Sequence, residues 1–347
     1  MKAYSKFDFV PGDKIIAFED FSQDAVGDFP DKWNTNSTGE VVTLNNGTTH
    51  WLSLTKQGRF IPEYINELPD NFTLQFDLKC NPNLNDYSSY LKVWMLSGGQ
   101  TKDQFSGWFL TDEHRSGVAF SIQPTNVYDH TGKGRIYTYE NGSTVINGDG
   151  NEIRFFNNLD KNSAKVSIWR QKQRIRVYMD AEKIFDLPRA FEAGKNYNFL
   201  MFELPSDMKN QDAYYISNIT LAVGAPDTRN KLITEGKFST TGILFDVNSA
   251  QIKPESYGTL KDIADVLKEN PSIHVTIIGY TDSDGNADYN MKLSKQRADA
   301  VKATLSSEFG IDASRMTTDG KGATQPVADN KTPEGKAQNR RVEFIKI

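Results

Sequence analysis

The chain has 347 residues, 37% of them hydrophobic and 24% charged, with a formal net charge of −5. That length suits two domains, and the apolar fraction is enough for two cores, which excludes a disordered chain. All the acidic excess lies before Gly236, since 15 basic and 15 acidic residues follow from there. Neither part carries the basic surplus that phosphate neutralisation needs, so nucleic acid is excluded as a partner.

Cys80 is the only cysteine, so no intrachain disulfide can form. It closes an alternating strand pattern and reads as a packed, inert thiol. No run of about 18 apolar residues occurs, so no segment reads as a membrane-spanning helix. The opening Met1-Lys2-Ala3-Tyr4-Ser5-Lys6 is basic but lacks the apolar stretch of a signal peptide. If the protein is exported, this sequence is either a processed form with an added Met or one that never included the signal. Membrane contact is not encoded in it.

From about Ile15 to Val223 the sequence reads as β throughout. Strands are expected over Val41–Leu44, Trp51–Leu54, Phe72–Leu78, Leu91–Leu96, Gly117–Ile122, Arg135–Tyr139, Lys165–Arg170, Arg174–Met179, Tyr197–Phe202 and Tyr214–Val223. Phe72, Leu74, Phe76 and Leu78 alternate with polar residues, as on a strand with one buried face. Gln171-Lys172-Gln173 reads as a hairpin connection. Asn46-Gly47, Asn141-Gly142 and Asn147-Gly148 read as turns needing positive φ. Many short strands at this spacing predict an all-β sandwich or jelly roll over residues 1–225.

Residues 226–239 read as a linker, because Pro, Gly and charged residues cluster and the alternation lapses. Beyond it, over 240–347, the period changes. Gly242–Val247 is expected as a strand. Pro254 suits the first turn of a helix carrying Leu260, Ile263, Ala264 and Leu267. Ile273–Tyr280 is the next strand, followed by a polar loop and a helix with Leu293, Arg297, Val301 and Leu305. Gly310 would end that helix. Met316–Lys321 and Arg341–Ile347 complete an expected β-α-β-α-β-β order, an α+β domain with two helices on one sheet.

The last third also carries an ordered series of motifs. They are Phe245-Asp246-Val247-Asn248-Ser249-Ala250 with Ile252, Gly279-Tyr280-Thr281-Asp282, Leu293-Ser294-x-x-Arg297-Ala298-x-x-Val301 and Gly310-Ile311. Arg315, Gly320-x-Gly322, Pro326, Asn330-x-Thr332-x-x-Gly335 and Asn339-Arg340-Arg341-Val342-Glu343 follow. In this order and spacing they resemble the OmpA-like peptidoglycan-binding family. The resemblance implies binding of the diaminopimelate side chain of the peptidoglycan stem peptide through Asp282 and Arg297, with Asn248, Asn290 and Arg340 at further binding positions. That chemistry is coherent. Diaminopimelate ends in an ammonium and a carboxylate, and a guanidinium can bond both carboxylate oxygens at once while Asp282 takes the ammonium. The bland alternative is an Asp282–Arg297 salt bridge that braces the loop-to-helix junction. Many members have His where this chain has Tyr280, a difference expected to affect packing. Arg341, on the opposite face of its strand from Arg340, reads as solvated or structural.

Asp282-Ser283-Asp284-Gly285 is not a calcium loop, since the glycine comes early and the twelfth residue is Leu293. The four histidines are scattered without metal spacing, so no metal or cofactor is expected. In the first part, Arg176–Asp180 with Lys183–Pro188, and Phe18–Phe21 followed by Trp33, resemble the paired strands of concanavalin-like and laminin-G-like sandwiches. Such a fold implies glycan binding by aromatic stacking. Trp33, Trp51, Trp94, Trp108 and Trp169 are the candidates, with core packing as the competing role and Trp108 as the exposed one. No paired acids of a glycosidase are present, and Glu19 and Asp20 read as solvated or turn-forming. The expectation is a non-catalytic wall anchor in the cell envelope, facing the periplasm and associated with the outer membrane, whose sandwich binds a glycan or protein. A glycan-processing sandwich tethered to the wall, and a sandwich serving as a spacer or oligomerisation surface, stay open beside it.

Overall fold

A computed structural model describes residues 7–81, 84, 88–98, 115–123, 132–153, 162–208, 212–224, 228 and 231–347. The chain forms two compact units: Glu19–Leu221, and Met1–Phe18 together with Ala222–Ile347.

Among the described residues the first unit is built from two sheets. The larger runs β13 (Glu182–Leu187), β12 (Arg174–Met179), β11 (Ser163–Gln171), β6 (Asn71–Cys80), β15 (Tyr214–Val223), β4 (His50–Leu54) and β3 (Gly39–Thr43), while β1 (Lys14–Glu19) has only Glu19 in this unit. The smaller runs β10 (Ser143–Ile153), β9 (Gly132–Glu140), β8 (Gly117–Gln123), β7 (Leu91–Ser97), β14 (Tyr197–Leu204), β5 (Gly58–Pro62) and β2 (Trp33–Thr35). The alternation read in β6 works as expected: Phe72, Leu74, Phe76 and Leu78 are all buried. Phe76 meets Phe202 of β14 edge-on, with ring centroids 5.3 Å apart, so the two sheets share a core.

Turn chemistry closes several of the ladders. Lys172 at φ 55° sits between β11 and β12, where Gln171 pairs with Arg174 in a two-residue hairpin. Asn141 (φ 46°) and Gly142 (φ 80°) do the same between β9 and β10. Asn147-Gly148 does not form a turn. It lies inside β10, beside a register irregularity between Gly148 and Asn151, so the flexible pair serves a bulge. Cys80 is buried, which pushes its thiol up to about 12 and keeps it protonated.

Of the two roles read for Glu19, solvated or turn-forming, it takes the second: it is buried, and its Oε1 accepts the Phe21 N–H at 2.8 Å across a turn where Phe21 has φ 59°. Burial pushes its carboxyl up to about 7, against the lowering effect of the Phe21 hydrogen bond. A raised acid stabilises the fold below its unfolded pKa, and that contribution is lost as pH rises through 7. Glu19→Gln keeps the acceptor and removes the titration. The variant should therefore gain about 2 kcal/mol over the parent at pH 8.5 and little at pH 5, read by urea denaturation. An equal difference at both pH values would remove this assignment.

In the second unit a four-stranded sheet runs β16 (Lys237–Thr240), β19 (Val342–Lys346), β17 (Val275–Gly279) and β18 (Met316–Gly320). β17 and β18 are parallel, joined by the crossover helix α2 (Ala287–Ser307), while β19 is antiparallel to both β16 and β17. Helix α1 (Tyr257–Glu269) contributes Leu260, Ile263, Ala264 and Leu267 to the core, where α2 adds Ala298, Val301 and Leu305. A third helix, α3 (Pro333–Asn339), precedes β19. The order is therefore β-α-β-α-β-α-β. With only seven residues, α3 is too short to show an apolar period, although Pro333 in its first turn and the Thr332 cap mark its start.

Two boundaries differ from the sequence reading. Gly242–Val247 is not a strand: only Phe245 forms a bridge, to Ile252, and β16 takes the sheet edge instead. The stretch 226–239 is not wholly a linker, because Leu232 and Phe238 are buried in this core and Phe238 stacks 6.3 Å from Phe344. Residues from Phe7 to Phe18 also belong to this unit, where Phe7 and Phe9 are buried.

Candidate functional site

The site grows from the end of β17. A Cβ on Gly279 would lie 2.1 Å from the Ser294 carbonyl, so glycine here lets α2 press against the strand end. The chain then enters Tyr280-Thr281-Asp282, and Thr281 N–H donates to the Gly322 carbonyl at 2.9 Å. Asp282 ends up buried. Its Oδ1 accepts the Asp284 N–H at 3.1 Å, and its Oδ2 accepts Arg340 Nη1 at 2.6 Å. The ion pair at this junction is thus Asp282 with Arg340, not Asp282 with Arg297.

Arg297, one face down α2, has its guanidinium over the Phe245 ring at 4.9 Å, while its Nε donates to the Ser249 carbonyl at 3.0 Å. Burial, then repulsion from Arg340, holds it below the usual guanidinium range, and attraction to Asp282 opposes them. The three charges therefore share one electrostatic neighbourhood. Two cations against one buried anion leave an excess of positive charge.

Asn248 sits at the tip of a tight turn closed by the Phe245–Ile252 bridge, in left-handed backbone at φ 53°. Its carbonyl accepts the Tyr289 hydroxyl at 3.1 Å, and its side chain is exposed. Asn290 is buried in α2 and acts on the loop: its Nδ2 donates to the Asp284 carbonyl at 2.8 Å and lies 3.5 Å from that of Asp282. Asp282 and Arg340 are bonded, Arg297 shares their electrostatic neighbourhood, and the Asn248 carbonyl meets Tyr289 of the same helix as Arg297. Asn290 holds the loop through both carbonyls, which leaves its Oδ1 as the group able to face a ligand.

Several motif residues prove to be supports. Asn339 is fully buried; its Oδ1 accepts the N–H groups of Val327 and Ala328, and its Nδ2 donates to Asn330 Oδ1 at 2.9 Å. Asn330 Oδ1 in turn accepts Ser283 N–H at 3.2 Å, next to Asp282. Arg315 caps α1 by donating to the carbonyls of Leu267, Asn270 and Ile273. Arg341 is structural: buried, with its Nε on Glu343 Oε1 at 2.9 Å and its guanidinium 3.7 Å from the Tyr280 ring centroid. The Tyr280 hydroxyl donates to Glu343 Oε2 at 3.0 Å, so the tyrosine joins that buried cluster. Sequence reasoning missed Tyr289 as a partner, and it quoted Glu343 in a motif without its pair with Arg341. The place of Tyr289 beside Asn290, an expected site position, was the available signal.

Two acids of the 282–288 loop, Asp284 and Asp282, already have cations. Lys336 Nζ lies 2.9 Å from Asp284 Oδ1, and Arg340 holds Asp282. Among the described tryptophans, Trp33, Trp51 and Trp94 are buried, with Trp94 Nε1 donating to Glu203 Oε2 at 2.7 Å. Trp169 is half-buried with Arg176 over its ring, and Trp108 lies outside the described residues. The core role therefore holds for the first three.

Residues 244–340 match the OmpA family model, and this stretch is an OmpA family domain. The curated protein "Probable lipoprotein YiaD" of Escherichia coli K12 is 54% identical over 102 residues, covering 29% of this chain and 46% of that protein. "Outer membrane porin F" of Pseudomonas aeruginosa is 46% identical over 101 residues, which is 29% of each chain. "Peptidoglycan-binding protein ArfA" of Mycobacterium tuberculosis is 43% identical over 103 residues, 30% of this chain and 31% of that one. The chain thus spans less than half the length of these relatives.

Proposed function

We propose that the OmpA family domain binds peptidoglycan without catalysis, by gripping the diaminopimelate of the stem peptide, and so anchors the chain to the wall from the periplasmic side. The observation that carries this reading is the buried Asp282 carboxylate set between Arg297 and Arg340, beside the exposed turn of Asn248. A carboxylate and a guanidinium held in one neighbourhood suit the ammonium and carboxylate at the end of diaminopimelate. Arg297 has its Nε on Ser249 and its face on Phe245, so its two Nη groups are the ones available for a bidentate bond to the ligand. The names of relatives carrying the same domain, one of them a peptidoglycan-binding protein, support the choice of ligand. An outer-membrane-associated place in the cell envelope follows from this reading.

In the same proposal the two-sheet unit is a concanavalin-like sandwich that presents a glycan- or protein-binding surface. Its paired antiparallel sheets support that family, and burial of Trp33, Trp51 and Trp94 moves any sugar contact away from them.

Cosedimentation of the full chain with purified sacculi tests the anchor. Retention is expected on diaminopimelate-type sacculi and is expected to fall sharply on lysine-type sacculi, whose side chain lacks the distal carboxylate. No retention on either would end the wall-binding reading, and equal retention on both would end the diaminopimelate one.

A further inference from the structure

The residues before Phe18 form a seat on the OmpA family domain, although they lie far outside the matched stretch 244–340. Two glycines make room for them. A Cβ on Gly258 of α1 would lie 2.1 Å from the Phe9 carbonyl, and one on Gly242 would lie 2.7 Å from Pro11 Cγ. Asp13 is ion-paired with Lys231. Gln338 of α3 then clamps the segment in the manner of a neighbouring strand: its Oε1 accepts the Ile15 N–H at 3.1 Å, and its Nε2 donates to the Asp13 carbonyl at 3.3 Å. The segment reaches Phe18, which is buried with its ring 5.7 Å from the Arg340 guanidinium.

Arg340 follows Gln338 by two residues, and its N–H closes α3 on the Lys336 carbonyl at 3.1 Å. Its side chain is 39% exposed, yet it carries the 2.6 Å bond to Asp282. A long, partly exposed arginine gains order when its stem or face rests on an aromatic ring. We propose that Phe7–Phe18 is a strap whose Gln338 clamp and Phe18 ring position Arg340 against Asp282, so that this segment sets the affinity of the wall-binding site. The proposal rests on the wall-binding reading for its ligand, but not for its geometry. Phe18 and Gln338 are positioning residues; they act through Arg340.

The test uses the full chain with the tripeptide L-alanyl-D-glutamyl-meso-diaminopimelate as probe, and amide exchange as a second readout. Phe18→Leu keeps an apolar side chain but removes the ring face, and should weaken tripeptide binding by about two- to fivefold. Phe18→Trp should keep wild-type affinity. In an Arg340→Met background, Phe18→Leu should change nothing further, as a double-mutant cycle requires of a residue acting through Arg340. An unchanged affinity in Phe18→Leu, or an equal loss in the Arg340→Met background, would overturn the positioning role. Gln338→Ala should speed exchange of the Ile15 amide at least tenfold, and unchanged exchange would overturn the clamp. If the wild type does not bind the tripeptide, the wall-binding reading and the positioning role both fail, while Ile15 exchange still decides whether the strap is held.

Discussion

Asp282→Ala and Arg297→Ala should each abolish measurable retention on diaminopimelate-type sacculi, and calorimetry with the stem tripeptide should show a loss of at least about tenfold for each. Charge-assisted bonds contribute roughly 1.5–3 kcal/mol apiece, and both ends of the zwitterion must be held at once. Asp282→Ala removes the carboxylate that bonds Arg340 and attracts Arg297, and leaves the repulsion between the two guanidiniums. Arg297→Lys is the sharper control. It keeps the positive charge but cannot bond two oxygens in one plane, and it loses the flat contact with Phe245, so it should lose most of the affinity too. Circular dichroism melts must stay within a few degrees of the parent. Wild-type affinity in either alanine variant would remove the site from its assigned place.

Arg341→Met has the other large effect, on stability. Arg341 and Glu343 are both almost wholly buried and 2.9 Å apart, so Arg341→Met leaves the Glu343 carboxylate with Lys237 Nζ, 3.0 Å from its Oε2, and the Tyr280 hydroxyl as its remaining partners. Stranding a buried charge outright costs about 3–5 kcal/mol, and with these partners kept the deficit should be roughly 2–3 kcal/mol. Burial alone would raise the Glu343 carboxyl, but hydrogen bonds from Lys237, Arg341 and Tyr280 outweigh it and hold the group below its ordinary range. An acid lowered in this way stabilises the fold above its unfolded pKa, and that contribution disappears as pH falls through the folded value. The deficit of Arg341→Met relative to the parent should therefore be large at pH 7 and shrink in acid. Urea denaturation at pH 7 and pH 3.5 measures it. An identical deficit at both would show that lost packing over Tyr280, not the ion pair, is responsible.

Much of this was legible in local pattern. The period of two in Phe72–Leu78, and the helical spacing of Leu260, Ile263, Ala264 and Leu267, follow from one buried face per element, so sequence alone placed them. The site residues were legible through their motifs, yet their pairing was not. Arg340 reaches Asp282 across 58 positions, and no local rule chooses it over Arg297. Asn290 reads as a ligand contact, and no local pattern displays that its Nδ2 also holds the Asp284 carbonyl of its own loop. Glu19 looked like a turn acid at the surface because burial is set by the strands around it, which a single sequence does not display.

The position of β19 carries a consequence for how the domain comes into being. It lies between β16 and β17, so the ladder joining residue 237 to residue 279 does not exist without it. A ribosome must have translated beyond Lys346 before these strands can pair. Until then Phe238, Ile277 and their neighbours lack the partner face supplied by Phe344, and that apolar surface is of the kind that promotes aggregation in unfinished chains. The arginine that meets Asp282 arrives in the same closing stretch, at Arg340, so the binding site and the finished sheet are completed together.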